Sequence, residues 1–253
     1  MKRFLLYNIV ASFLFLPACM QKKSVGEDPV DMNEQGIKLI NEGKQEEALQ
    51  LFLKAVKNSS LSITVKGTIY RNIGITYNQL DKRDSAIHFS TLASKCYRKD
   101  SYDYLINAAD VDLLRGKTGA ALGKLLKALA IDPGDMAVNN TLGLLYMGEY
   151  DESFIDLEKA LKYNVKAFNL DGSRVIEEVL ALNYYKLEKY EQAELHYEHL
   201  HLYHPGMASY TLNLGMAKYK LKKKAEAEKL FVEAITKDSS YKETVAVFKN
   251  ANK

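Results

Sequence analysis

Residues 173–206 read SRVIEEVLALNYYKLEKYEQAELHYEHLHLYHPG. The stretch begins as one amphipathic segment, passes a polar turn at Glu188-Lys189, resumes as a second amphipathic segment and stops at Pro205-Gly206. Two helices joined by so short a turn pack antiparallel. A bulky side chain at their crossing would hold them apart, and Ala181 and Ala193 stand there, with Tyr184 and Tyr197 to fill the space around them. A single helix pair cannot bury its apolar face alone, so it needs similar pairs on both sides.

The rest of the chain supplies them. In a frame of about 34 residues, the small residue of the first helix recurs as Gly36, Gly74, Ala109, Gly143, Ala181 and Gly215. The small residue opening the second helix recurs as Ala48, Ala86, Ala121, Ser153, Ala193 and Ala227. Ala55, Ala93, Ala128, Ala160, Leu200 and Ala234 follow seven positions later, and between these two sets lie Phe52, Ser90, Leu125, Leu157, Tyr197 and Phe231. A chance period would not preserve both small and large positions. The pattern resembles the tetratricopeptide repeat family, which places Gly or Ala, Tyr, Ala, Phe, Ala and Pro at these offsets. Pro133 and Pro205 match its closing proline, and Tyr77, Tyr146 and Tyr184 its first-helix aromatic.

The resemblance covers residues 29–241. It implies an all-α fold, a right-handed α-solenoid of about six helix-turn-helix repeats starting near 29, 67, 102, 136, 174 and 208. Residues 242–253 are expected to form a capping helix and tail, with Val245 and Phe248 covering the apolar side of the last repeat. The chain departs from the family pattern in several places. It has no Trp, and Asp112 and Lys218 occupy first-helix positions that are usually apolar. The fourth repeat reads as two residues short near Met147-Gly148. Extra residues separate repeats one and two near 59–65, and repeats four and five near 168–173.

Residues 1–19 read MKRFLLYNIVASFLFLPAC. Lys2 and Arg3 precede an apolar run, Phe4 to Leu16, that is too short for a membrane span of about 20 residues and has the shape of a secretory signal. Leu16-Pro17-Ala18-Cys19 resembles the bacterial lipoprotein signal, which implies cleavage after residue 18 and acylation of Cys19. Two or more acyl chains give stable membrane anchoring. Residues 19–28 then form the lipidated start and a polar tether. Met20, not Asp, follows the cysteine, so the expected site is the bacterial outer membrane, facing the periplasm.

Charge argues against nucleic acid as a partner. Of 35 basic and 32 acidic residues, the signal removes Lys2 and Arg3, leaving near neutrality and little single-sign steering. Lys222-Lys223-Lys224 reads as a solvated turn, as do Glu46-Glu47 and Glu226/Glu228. With Cys19 lipidated, Cys96 has no disulfide partner and reads as a packed small residue. His196, His199, His201 and His204 fall close together, but their helical spacing splits them between faces and Glu198 points elsewhere, so no metal site is expected. Gly116-Lys117-Thr118 is similar to a phosphate-binding loop, yet the required earlier Gly is Val111 and no strand precedes it. No nucleophile-base motif stands out. Neither catalysis nor a cofactor is expected.

In the family, ligands lie in the concave groove lined by the first helices. Projecting the frame places Asn33, Ile37, Arg71, Ile75, Asn78, Ile106, Asp110, Asn140, Leu144, Met147, Glu178, Leu182, Tyr185, Leu212, Met216 and Tyr219 there. The carboxylate clamp of chaperone-binding members is mostly missing, since Asn33, Ile37, Asn72, Asp103 and Asn107 stand at its positions. The resemblance thus implies a membrane-tethered scaffold whose groove holds a peptide or helix of an envelope protein. In architecture it is similar to pilotins and outer-membrane assembly lipoproteins. The alternative is an adaptor of a periplasmic protease or cell-wall enzyme, which would be a homodimer through terminal repeats.

Overall fold

The computed structural model describes residues 28–252. The stretch read as signal, Cys19 and most of the tether lies outside the described residues. Among the described residues there are thirteen α-helices, one 3-10 turn and no strand. Six helix pairs run along the chain: α1 (Pro29–Asn41) with α2 (Gln45–Ala55), α3 (Ile63–Gln79) with α4 (Arg83–Lys95), α5 (Tyr102–Leu114) with α6 (Thr118–Ile131), α7 (Met136–Tyr146) with α8 (Leu157–Leu170), α9 (Arg174–Lys186) with α10 (Tyr190–Tyr203), and α11 (Ala208–Lys220) with α12 (Lys224–Lys237). A last helix, α13, spans Tyr241–Ala251. They form two compact units, residues 28–138 with 149–151, and residues 139–148 with 152–252.

Helix starts follow from local chemistry. Asp28 accepts a hydrogen bond from Val30 N–H at 2.8 Å, with Pro29 in the first turn. Ser62, Ser101 and Asp156 cap α3, α5 and α8 in the same way, satisfying backbone donors that have no partner inside the helix. The turn within each pair uses one left-handed residue: Gly43, Asp81, Gly116, Gly148, Glu188 and Lys222 all have positive φ. In five of the six a lysine follows, and its N–H donates back into the first helix, as Lys44 N–H does to Leu39 O and Lys117 N–H to Asp112 O. This is a helix-terminating motif that satisfies the last carbonyls. Gly116-Lys117 is therefore a turn of the repeat.

The pairs close because nothing protrudes where they cross. A methyl group on Gly36 would lie 2.7 Å from Phe52 Cζ, and one on Gly215 would lie 2.9 Å from Phe231 Cε1. In the first unit Phe52 packs with Met32, Leu49, Ile69 and Ile73. In the second, Tyr197 and Tyr210 join Leu200 and Leu214, while Phe231 joins Leu212 and Val245. Burying each such large side chain contributes about 2–3 kcal/mol. Val245 of α13 is buried, and Phe248 lies edge-on to Tyr219 and Phe231, so α13 covers apolar surface of the last pair.

Repeat four differs from the sequence reading. Sixteen positions separate Gly36 from Phe52, Gly74 from Ser90 and Gly215 from Phe231, but 21 separate Gly143 from its opposite number, Asn164. The second helix starts at Leu157, so Ser153 lies in the 3-10 turn Glu152–Phe154, outside that helix. The buried set in α8 is Ala160, Asn164 and Ala167, displacing Ser153, Leu157 and Ala160 from those columns. Repeat four thus carries five additional residues in its internal turn and is not two short. The connection to repeat five is brief, residues 171–173, so no insertion lies there. Asn164, 1% exposed, donates to Asn183 Oδ1 at 2.9 Å and to Met147 Sδ at 3.3 Å. Asn183 in turn donates to Leu157 O. A polar chain therefore fills the space that an aromatic ring takes elsewhere.

The two polar departures in first helices are ion-paired. Asp112 meets Lys124 across its own hairpin. Lys218, almost fully buried, meets Glu194, Glu198 and Glu226 at 2.8, 2.7 and 2.9 Å, and Lys223 also reaches Glu194. Burial opposes charge on Glu194, but the two ammonium groups more than offset it and hold its carboxyl below the usual range. Burial likewise opposes charge on Lys218, and its three carboxylates outweigh that, raising it. Of the residues read as solvated, Lys223 and Glu226 belong to this network, and Glu228 pairs with Lys249.

Two outcomes follow. Gly143→Ala places a methyl group onto Asn164 Oδ1 and should cost about 1–3 kcal/mol in chemical denaturation; an unchanged midpoint would mean that Asn164 does not sit there. Lys218→Met should cost about 1–3 kcal/mol at neutral pH, below the loss for a wholly buried pair because Glu198 and Glu226 are exposed. A depressed carboxyl stabilises above its unfolded pKa of about 4.3 and loses that contribution as pH falls through its lowered value. The gap between wild type and Lys218→Met should therefore narrow below about pH 4. A gap constant with pH would contradict the network.

Candidate protein-binding groove

The first helices α1, α3, α5, α7, α9 and α11 carry the predicted lining, and the two units place it differently. In the first unit the face is polar: Asn33 is 4% exposed and is corrected to an interior residue, while Arg71, Ile75, Asn78, Ile106 and Asp110 are half-buried. Asn72 Nδ2 donates to Asn33 Oδ1 at 2.8 Å, joining α3 to α1. Arg71 Nε lies 3.6 Å from Asp110 Oδ2, joining α3 to α5. Burial raises the Asp110 carboxyl above its ordinary value, against the pull of Arg71. Ile37 packs against the core beneath. Asn107 is buried, and its Nδ2 donates to Asp103 O at 2.7 Å. Arg71 Nε and Asn107 Oδ1 are buried without a hydrogen-bond partner.

In the second unit several predicted lining residues point inward. Asn140, Leu144 and Met147 are 2–4% exposed and are corrected to interior residues. Met147 is held there as the acceptor for Asn164 and Leu144 by burial alone. Leu212 is likewise buried in the core of the last pairs. Tyr219 lies between Phe231 and Phe248, with Met216 in the same cluster, so both brace the capping helix. Leu182 and Tyr185 stay half-buried. Tyr185 meets Tyr190 edge-on at 5.4 Å, and burial pushes its hydroxyl up to about 12. Glu178 accepts from the Tyr210 hydroxyl at 2.8 Å, which also receives a hydrogen bond from Arg174.

Reading the sequence missed one cluster. Glu177 on α9, 3% exposed, sits between His196 and His199 of α10, with Oε1 3.0 Å from one Nδ1 and Oε2 2.7 Å from the other. His196 also stacks on Tyr184 at 5.7 Å. The signal was available: Glu177 stands one turn before Ala181, on the side of α9 that faces α10. Among the described residues no group of three or more His, Cys, Asp or Glu is arranged to hold a metal ion. Cys96 is a half-buried free thiol whose Sγ–H donates to Leu92 O at 3.4 Å. No described helix is long and apolar enough to cross a membrane.

Comparison with known proteins bears on the fold. No curated protein sequence matches the chain. Among solved structures, the anaphase-promoting-complex hetero-tetramer Cut9-Hcn1 aligns over 90% of this chain and 43% of that one, at 17% identity and a TM-score of 0.69. The chain therefore spans less than half the length of that relative. A thermophilic tetratricopeptide repeat protein of Thermus thermophilus aligns over 75% of this chain and 98% of its own, at 17% identity and a TM-score of 0.59. Pseudomonas aeruginosa pilF aligns over 86% and 96%, at 16% identity and a TM-score of 0.60. At these identities the likeness is one of fold. Residues 179–242 match the tetratricopeptide repeat family in sequence, and the chain as described has the all-helical fold of tetratricopeptide-repeat proteins, one suited to binding other proteins.

Proposed function

We propose that the chain is a lipid-anchored scaffold that holds a segment of another envelope protein along its first helices. The observation that carries this reading is the open bonding capacity of the first unit's face. Asn107 Oδ1 has no hydrogen-bond partner there and Arg71 Nε has only its 3.6 Å ion pair with Asp110, while Asn33, Asn72, Arg71 and Asp110 form a polar row above an apolar core. Leaving buried polar atoms unmet costs stability, and an extended backbone laid along the row supplies both acceptors and donors. Half-buried Ile75 and Ile106 leave room for apolar side chains of the same segment.

The anchor rests on Lys2-Arg3, the apolar run Phe4 to Leu16 and the Leu16-Pro17-Ala18-Cys19 ending. Acylation at Cys19 holds the repeats at the outer membrane, and the tether sets their distance from it. A role in placing or assembling an outer-membrane protein fits this arrangement, and the fold-level likeness to Pseudomonas aeruginosa pilF is in keeping with it.

Cross-linking in cells followed by mass spectrometry, with Cys19→Ala beside the wild type, tests both parts. The wild type should sediment with membranes, give an acylated N-terminal peptide and yield a reproducible protein partner at residues of α3 and α5. Cys19→Ala should lose the acyl group and the membrane fraction. A wild-type protein that stays soluble and unacylated would remove the anchor. Cross-links that avoid the first helices altogether would remove the groove.

A further inference from the structure

We propose that the exposed side of α10 pairs with the same side of a second copy of this chain, antiparallel about a two-fold axis between Glu198 and His199. The proposal goes beyond the groove on the first helices and does not depend on it. All the residues concerned lie in the second unit.

Helix α10 is apolar on two sides. Ala193, Tyr197 and Leu200 are buried among the neighbouring helices. On the other side Leu195 and Leu202 are 66% and 70% exposed, with Tyr203 beside them at 65%. Glu198, His199 and Leu202 follow Leu195 by three, four and seven positions, so the four share one face of the helix, and all four are exposed. The repeat does not require leucine there. The positions of Leu195, His199 and Leu202 are held by Gln50, Lys54 and Lys57 on α2, and by Lys229, Glu233 and Thr236 on α12. A single exposed leucine is ordinary. Two in line, on a helix whose other side is already packed, mark a contact surface.

The order of the residues says what covers it. Outward from the centre of this face, Glu198 is matched by His199 and Leu195 by Leu202. An antiparallel copy therefore sets leucine on leucine and carboxylate beside imidazole, twice each, as a two-fold contact requires. A parallel copy in register would instead bring Glu198 against Glu198. Both polar residues are held from beneath. Lys218 Nζ lies 2.7 Å from Glu198 Oε1, and Glu177 Oε2 lies 2.7 Å from His199 Nδ1. The two side chains nevertheless stay 51% and 56% exposed. As an imidazolium, His199 donates from Nδ1 to Glu177 and has Nε2 left for Glu198 of the second copy. One helix face is small for an interface, so the dimer forms weakly, at micromolar concentration.

The test uses full chains carrying Leu195→Cys or Leu202→Cys, tagged differently, co-expressed and oxidised in cells, with wild type as the control for Cys19 and Cys96. The two together should give a disulfide-linked dimer at least about fivefold more abundant than either alone, because copies of the same residue lie about 10 Å apart along the axis, beyond disulfide reach. No excess of the mixed dimer overturns the proposal. Sedimentation velocity of the full chain at about pH 6, below the ordinary imidazole value of about 6.5, should show dimer giving way to monomer on dilution. Leu195→Glu/Leu202→Glu should be monomeric throughout, with wild-type circular dichroism. A wild type that is monomeric at every concentration overturns the proposal, as does a dimer that survives the double substitution. Wild-type monomer that instead binds anionic phospholipid vesicles, and loses that binding in the double variant, would give the face to a membrane and overturn the pairing.

Discussion

Close approach of two helices over a residue with little or no side chain is the constraint on which each pair depends. Gly36 lies beneath the Phe52 ring, Gly215 beneath Phe231, and Gly143 beneath the Asn164 amide. Interiors pack to the density of organic crystals, so an added methyl has nowhere to go. The same contact fixes which turn of one helix faces which turn of its neighbour. From that register follow the buried sides of every helix, and therefore which residues of α3 and α5 stay outside the core.

Several of the polar residues that enter this packing come with partners. Lys218 brings three carboxylates, Asp112 brings Lys124, and Asn164 brings Asn183 and Met147. A buried ionic group adds little stability over an apolar one of the same size, yet removing one partner is costly. Their effect is to make a given helix accept only one neighbour, because a shifted pairing would strand a charge. Glu177 between His196 and His199 acts in the same sense for α9 and α10. Arg71 and Asp110 differ: their 3.6 Å pairing joins α3 to α5 but leaves Arg71 Nε without a hydrogen bond.

Much of this was legible in the residues. Small positions at the crossings, matched sixteen residues later by a large side chain in four repeats and by Ser90 in a fifth, give five of the six helix pairs, and the fold class with them. Repeat four misled because Leu157 and Ala160 imitate the expected columns while the true occupant, Asn164, is polar. A better signal lay in the turns. A left-handed residue followed by lysine closes the first helix at Lys44, Lys82, Lys117, Lys189 and Lys223, and Glu149 breaks that rule where the insertion begins. The groove was less legible than the fold. Periodicity says which side of a helix is apolar, but not whether Asn140, Leu144 and Met147 on a first helix are covered. Ion pairs between helices were hidden as well, since Glu194 and Lys218 are distant in sequence and each alone reads as surface.

The central claim is that ring and glycine hold each other at the crossing. A double-mutant cycle on Gly36 and Phe52 tests it most directly. Gly36→Ala should destabilise the wild type and cost little once Phe52→Ala has removed the ring, giving a coupling of about 1–2 kcal/mol. Losses that add to within about 0.5 kcal/mol would contradict the account.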